Sequence, residues 1–167
     1  MDSQQHERKP RANVSIRPFQ PGDEAPFRRL NEEWIKRYFR IEPKDEEAFA
    51  NPQQTILDPG GKIFFATMGE KCVGCVALLQ MGGGEFEVAK MAVSPAHQGG
   101  GIGHTLLQAA IDAARASGAK KLYLETNHTL TPAIRLYESV GFKHVSSAEV
   151  TPSPYERADV HMEMILD

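Results

Sequence analysis

The stretch Glu87-Val88-Ala89-Lys90-Met91-Ala92-Val93-Ser94-Pro95-Ala96-His97-Gln98-Gly99-Gly100-Gly101-Ile102-Gly103 constrains the fold more than any other part of the chain. It reads as a strand ending near Val93, a tight turn, a glycine-rich loop and the start of a helix. The apolar residues of that helix, Ile102, Leu106, Leu107, Ala110, Ala113 and Ala114, recur on one face. Ser117-Gly118 ends it, and Lys121 to Thr126 reads as a further strand. Strand, helix and strand joined this way form a βαβ unit, whose crossover sets the two strands parallel in one sheet. A glycine loop that feeds a helix N-terminus gathers unpaired backbone N–H groups at the positive end of the helix dipole, an arrangement that suits a phosphate.

The pattern upstream is different. Val14 to Arg17 predicts a short strand closed by Pro18. Asp23 is expected to cap a helix with Pro26 in its first turn and Phe27, Leu30, Trp34 and Tyr38 on one face. Pro43 should stop that helix, and Asp45 should cap a second, short one running through Phe49 to Asn51-Pro52. Lys62 to Met68 and Lys71 to Met81 flank Gly69-Glu70 as a hairpin, and Gly82-Gly83-Gly84 turns the chain into Glu85 to Val93. These three segments make an antiparallel meander. Downstream, Thr131 is expected to cap a helix with Pro132 at its first position, Ala133, Leu136, Tyr137 and Val140 on its apolar face, and Gly141 at its end. Phe142 to Val150 predicts a strand, Thr151 to Pro154 a loop, and the alternation of Val160, Met162, Met164 and Leu166 a final strand. The expectation is an α/β protein of the mixed α+β kind, with a central mixed sheet of about six to seven strands and about four flanking helices.

Composition narrows the partners. A chain of 167 residues with 41% hydrophobic and 25% charged residues suits one domain, expected over residues 14–167, with residues 1–13 as a disordered tail. A formal net charge of −3 gives no reason to expect nucleic acid or an anionic membrane as partner. No apolar run approaches the ~20 residues of a membrane span, and the polar start has no secretory h-region, so the expected location is cytoplasmic. Cys72 and Cys75 have redox or zinc spacing, but in a strand residues three apart face opposite ways, and no paired motif supplies further ligands. They read as buried structural cysteines, and no metal is expected.

Three nucleotide-loop patterns compete for the glycine run. A P-loop needs Gly-Lys-Ser or Gly-Lys-Thr, and neither occurs in the chain. A dinucleotide loop needs a third glycine where Gly101-Ile102-Gly103-His104-Thr105-Leu106 places leucine, and the meander argues against a doubly wound sheet. The third pattern, Q-x-x-G-x-G, is met by Gln98, Gly101 and Gly103.

With that loop, the helix ending Leu136-Tyr137-Glu138-Ser139-Val140-Gly141-Phe142 and the strand Lys90-Met91-Ala92-Val93, the chain resembles the GNAT superfamily of acetyl-CoA-dependent N-acetyltransferases from about Val14 to Leu166. Leu124-Glu125-Thr126-Asn127 and Tyr155-Glu156-Arg157-x-Asp159-x-x-Met162 are similar to one bacterial branch of it. The resemblance implies a parallel pair splayed at the cofactor site. It implies that the N–H groups of Gly99, Gly100, Gly101, Ile102, Gly103, His104 and Thr105 receive the CoA pyrophosphate, and that Met91, Ala92 and Val93 border the pantetheine arm. Gly100 stands where the family has a cation, and Leu130 where many members have asparagine; Asn127 is a candidate to replace the latter, and Ala133 lies on the tyrosine's helix face.

By the same resemblance Glu87 falls at the general-base position and Tyr137 at the position that protonates the leaving thiolate. Their chemistry fits. An amine of pKa ~10 must lose a proton before it attacks, and a phenol of pKa ~10 can serve a thiolate of pKa ~8.5. The Val93 N–H could polarise the thioester carbonyl, and no cysteine falls in either signature, so direct transfer in a ternary complex is expected rather than an acyl-enzyme. The expected acceptor is a small-molecule primary amine entering over Phe27 to Phe49 and Thr151 to Arg157, where Trp34, Tyr38 and Tyr155 could line its pocket. The many acidic residues from Glu32 to Glu47 read as a solvated helix face. A silent CoA-binding module and a protein lysine or N-terminal acetyltransferase are the alternatives, and a homodimer is possible through sheet edges.

Overall fold

A computed structural model describes residues 13–166. The expected tail, residues 1–12 in particular, lies outside the described residues. The elements run β1 (Ser15–Pro18), α1 (Glu24–Tyr38), α2 (Pro43–Ala50), β2 (Lys62–Met68), β3 (Lys71–Gly82), β4 (Glu85–Val93), α3 (Ile102–Ala116), β5 (Lys121–Thr126), α4 (Thr131–Val140), β6 (Lys143–Val145) and β7 (Val160–Ile165). One seven-stranded sheet has the order β1-β2-β3-β4-β5-β7-β6. Every neighbouring pair is antiparallel except β4 and β5, as the βαβ pattern demands.

Helices cover both faces of the sheet. Leu106, Leu107, Ala110 and Ile111 of α3 pack with Val76, Leu78, Phe86, Leu122, Leu124 and Met162 on one side. Gly74 permits the approach: a Cβ there would lie 2.8 Å from Leu106 Cδ1. On the other side Phe27, Leu30 and Ile35 of α1 and Phe49 of α2 pack on Ile63, Phe65, Cys75 and Ala77. Phe27 meets Phe49 and Phe65 edge-on, at 5.9 and 6.5 Å between centroids. Each such fully buried side chain contributes about 1.5–3 kcal/mol.

The feature that makes room for a site is the short β4–β5 pairing. It joins Glu85, Phe86 and Glu87 to Lys121, Leu122 and Tyr123, and nothing beyond. Three residues further on, β4 bulges: the register with β3 steps from Ala77↔Ala89 to Cys75↔Ala92. Lys90 in this bulge has φ +52°, the only positive φ of a non-glycine among the described residues. A bulge bends and twists its strand, and past it β4 and β5 stand apart.

Several local expectations need correction. Asp23 precedes α1, but its carboxylate does not cap the helix; it binds Arg17 at 2.6 and 3.1 Å and the Gln20 amide at 2.7 Å. Pro43 does not stop α1, which ends at Tyr38; it begins α2, with Glu42 as N-cap and Asp45 as the reciprocal partner of a capping box. Thr131 is the first residue of α4 rather than its cap. The strand expected over Phe142 to Val150 is only Lys143–Val145, because the chain tightens into a 3-10 turn at Ser147–Glu149. Cys72 and Cys75 do not face apart. A register shift opposite Ala66 and Thr67 leaves Val73 as an extra residue, and both thiols point into the layer beneath α1. Both are free and buried, and burial pushes the Cys75 thiol up to about 12.

Candidate active site

The gap beyond the β4–β5 pairing opens into a cavity of about 120 Å³ that is open to solvent. β4 contributes Glu87 through Met91, β5 and the following turn contribute Glu125, Thr126 and Asn127, and α4 contributes Tyr137. Asn31, Trp34, Ile35 and Phe39 close it from the α1 side, and Tyr155, Arg157 and Ala158 from the loop before β7. Glu87 and Tyr137, 50 residues apart in the chain, thus line one cavity from different elements.

Glu87 is half-buried on β4, where its main chain is part of the sheet, and its carboxylate has no hydrogen-bond partner among the described residues. Loss of water, and then the neighbouring Glu125 carboxylate, raise its pKa to about 7, against a smaller opposite pull from Lys90. Glu125 is held from three sides. Ser153 Oγ donates to it at 2.5 Å, Tyr123 Oη lies 3.1 Å away, and His161 Nδ1 is 3.9 Å from the same oxygen that Tyr123 meets. Tyr137 packs edge-on against Phe142 at 6.2 Å between centroids, and burial raises its hydroxyl to about 12, so it carries its proton throughout the physiological range. Trp34 packs at tilted angles on Tyr38 and Phe39 along the end of α1, and Tyr38, expected to line the pocket, is instead exposed outside the cavity wall.

Main-chain groups on the open side of β4 follow from the pairing on its other side. Ser94 N–H donates to the Val73 carbonyl at 2.8 Å, so the strand alternation turns the Val93 amide away from β3, while Met91 lies in the bulge, where the alternation is interrupted. Ala92 is buried beneath α1, and neither it nor Val93 lines the cavity. The glycine loop is exposed, and none of Gln98 to Thr105 lines the cavity. Gly99 and Gly101 have φ +82° and +83°, a conformation other residues rarely adopt. The amides of Ile102, Gly103 and His104 are the first of α3 and have no intrahelical acceptor. Free amides at a helix N-terminus suit an anion.

Some expected contributors are otherwise engaged. The Thr105 amide donates to the Gly101 carbonyl at 3.1 Å as the first helical bond, and its hydroxyl meets the same oxygen. The Gln98 side chain donates to the Val93 carbonyl at 3.1 Å, tying the loop to the strand end instead of facing outward. Asn127 lines the cavity, but its side chain holds the Arg157 carbonyl at 2.7 Å and Thr129 at 2.6 and 2.9 Å. Ala133 is half-buried on α4, outside the cavity wall.

The sequence reading missed a buried ion cluster at the far wall. Lys90 Nζ donates to Asp45 Oδ1 at 2.8 Å and to Tyr155 Oη at 2.7 Å, and it lies 4.4 Å from the centre of the Tyr155 ring. Arg157 grips Asp45 with both nitrogens at 2.8 Å and reaches Glu42 at 3.0 Å. Asp45 is fully buried and Glu42 nearly so, which corrects the solvated-face reading for these two, while Glu33, Glu46 and Glu47 are exposed as that reading expected. Burial alone would raise the Asp45 carboxyl, but the hydrogen bonds from Arg157 and Lys90 and the Glu42 amide hold it at about 2. The clue in the sequence was Glu42-Pro43-Lys44-Asp45, the spacing of a capping box, which needs both carboxylates at a helix start.

The comparisons with known proteins agree with this architecture. The family model described as the acetyltransferase (GNAT) family matches residues 27–142. An uncharacterized N-acetyltransferase of Schizosaccharomyces pombe is 31% identical over 149 residues, spanning 86% of this chain and 91% of its own. An acetyltransferase of the GNAT family from Staphylococcus aureus superposes with a TM-score of 0.84 at 18% identity, over 92% of this chain and 99% of its own. YncA of Salmonella typhimurium, solved with acetyl-CoA, superposes at 0.70 with 22% identity, over 93% and 95%. The chain belongs to the GNAT family of acetyltransferases, and it is an acyltransferase of that fold. Among the described residues no cluster of three metal-ligating side chains occurs, and no helix is long and apolar enough to cross a membrane.

Proposed function

We propose that this protein acetylates the primary amine of a small molecule by direct attack in a ternary complex with acetyl-CoA. The observation that carries the proposal is the placement of the Glu87 carboxylate and the Tyr137 hydroxyl on one cavity at the mouth of the splayed strands. Acetyl-CoA, when bound, supplies the acetyl group as a thioester. The loop amides from Gly99 to His104 would hold its pyrophosphate, and the Met91 and Val93 main chain would border its arm. Glu87 takes the first proton from the substrate ammonium, and a carboxylate titrating near 7 is a competent acceptor at neutral pH. As the C–N bond forms and the C–S bond breaks, the Val93 N–H faces the carbonyl oxygen. The second amine proton returns, through Tyr137, to the sulfur.

The test is release of free thiol from acetyl-CoA across a panel of primary amines. The expected outcome is amine-dependent thiol release, with kcat/KM rising through a pKa near 7 in the wild type. Glu87→Gln should lose that limb and about 10²–10⁴-fold of the rate. Binding of acetyl-CoA without amine-dependent release would leave a silent CoA-binding module instead. An unchanged pH limb in Glu87→Gln would remove Glu87 as the base.

A further inference from the structure

The ion cluster also decides which amines can enter. The cavity wall carries two cations, Lys90 and Arg157, and two carboxylates, Glu87 and Glu125, with Asp45 and Glu42 behind it. The two cations, Lys90 and Arg157, are both engaged. Lys90 is only 7% exposed and is satisfied by Asp45 and Tyr155, while Arg157 is satisfied by three contacts with Asp45 and Glu42. Two positive and two negative side chains close on themselves and leave no net charge. That leaves Glu87 and Glu125, neither of which pairs with Lys or Arg among the described residues. The remaining wall is mostly apolar or aromatic, with Trp34, Ile35, Phe39, Leu79 and the ring of Tyr155, and its other polar members, Asn31, Thr126 and Asn127, carry no charge.

From this arrangement, and resting on the acetyltransfer reading above, we infer that the acceptor is a small monoamine on an apolar or aromatic body, with no carboxylate beside the nitrogen. The ammonium of such a molecule lies against Glu87 and Glu125, and its body lies against Trp34 and Phe39. An α-amino acid places its own carboxylate within about 3 Å of the same nitrogen. There it meets the Glu87 and Glu125 carboxylates and no free cation, and drawing Lys90 or Arg157 away for it would leave the buried Asp45 with one of its two cationic partners, and in the case of Arg157 would also leave Glu42 without its cation. The loop before β7 favours a small molecule over a peptide. It is strapped to the α1–α2 side by Arg157 to Glu42, by the Glu156 amide to Glu42 at 3.0 Å, and by Arg40 to Glu156 at 2.7 Å.

Matched pairs test the inference on the wild-type protein: phenethylamine against L-phenylalanine, and isoamylamine against L-leucine, each with acetyl-CoA. Trp34 is the only tryptophan in the chain and lines the cavity, so its fluorescence reports amine binding independently of turnover. The expected result is a kcat/KM at least about 100-fold higher for each amine than for its amino acid, with saturable Trp34 quenching by the amines alone. Turnover of the amino acids within tenfold of the amines, or equal quenching by both, overturns the inference while leaving acetyltransfer standing. Discrimination in quenching with no thiol release from any amine does the reverse: it supports the inference and sinks the acetyltransfer reading. A lysine-containing peptide acetylated as efficiently as isoamylamine overturns the small-molecule part.

Discussion

The two ends of the cavity are built by opposite means. At the end proposed to take CoA the candidate groups are backbone: N–H groups of a glycine loop, the first amides of α3 and the Val93 amide of β4 past its bulge. At the acceptor end they are side chains brought from distant places, Glu42 and Asp45 of α2, Lys90 of β4, Arg157 of the last loop. A backbone site accepts any sequence that keeps its conformation, and it suits a partner that does not change. A side-chain site can be rewritten residue by residue, which suits a region that sets the acceptor. The difference predicts that damage at the acceptor end should register first in stability, and damage at the CoA end first in binding.

Asp45→Ala gives the largest effect. It leaves Lys90 and Arg157 buried without their shared partner, and breaking a buried pair from one side costs about 3–5 kcal/mol. Urea unfolding should show that loss in the midpoint. Because the folded carboxyl titrates well below its unfolded value, its contribution is present above pH 4 and vanishes as the pH falls toward 2, so wild type and variant should converge in acid. Equal midpoints at neutral pH would mean that the cluster does not hold the acceptor end together.

Gly101→Glu should act at the other end with the opposite signature. Its φ of +83° disfavours a side chain, and a carboxylate there opposes the pyrophosphate. Acetyl-CoA affinity should fall at least about 100-fold by calorimetry, near 2.7 kcal/mol, while the unfolding midpoint moves far less than in Asp45→Ala. Retained affinity in a folded variant would separate the glycine loop from the cofactor. Tyr137→Phe should be smaller again, about 10–100-fold in kcat with acetyl-CoA affinity unchanged, because a thiolate is a good enough leaving group to find a proton from water. Unchanged turnover would remove Tyr137 as the acid.

This contrast also explains what could be read before the structure was known. The CoA end is encoded locally: strand, Gln98-x-x-Gly101-x-Gly103 and amphipathic helix are contiguous, so pattern and backbone chemistry were enough. The acceptor end is not. Asp45 and Arg157 are 112 residues apart and meet only because β7 lies beyond β5 in the sheet. The bulges were equally hidden. Nothing in Lys71 to Met81 marks Val73 as an extra residue, yet that one insertion moves Cys72 to the face of Cys75. Lys90 was visible as part of a family-like strand, but a lysine at φ +52° has no sequence signature.

The smallest expected effect tests whether the acceptor end is tuned for chemistry at the expense of stability. Glu87 titrates near 7 in the fold and near 4.5 when unfolded. The native state therefore binds more protons than the unfolded chain between those values, and stability contributed by this group falls as the pH rises through them. Above pH 7 the folded protein carries a carboxylate disfavoured by lost hydration and by Glu125. Complete expression of that shift would amount to about 3 kcal/mol, and residual solvent access reduces it. Glu87→Gln should accordingly be more stable than wild type by about 1–2 kcal/mol at pH 8, with the gap closing toward pH 4.5. Thermal melts of both proteins across that range measure it directly. A variant that is less active and more stable is what a catalytic carboxylate held against its own solvation must give. A variant less stable at pH 8 would instead make Glu87 an ordinary partner in the sheet.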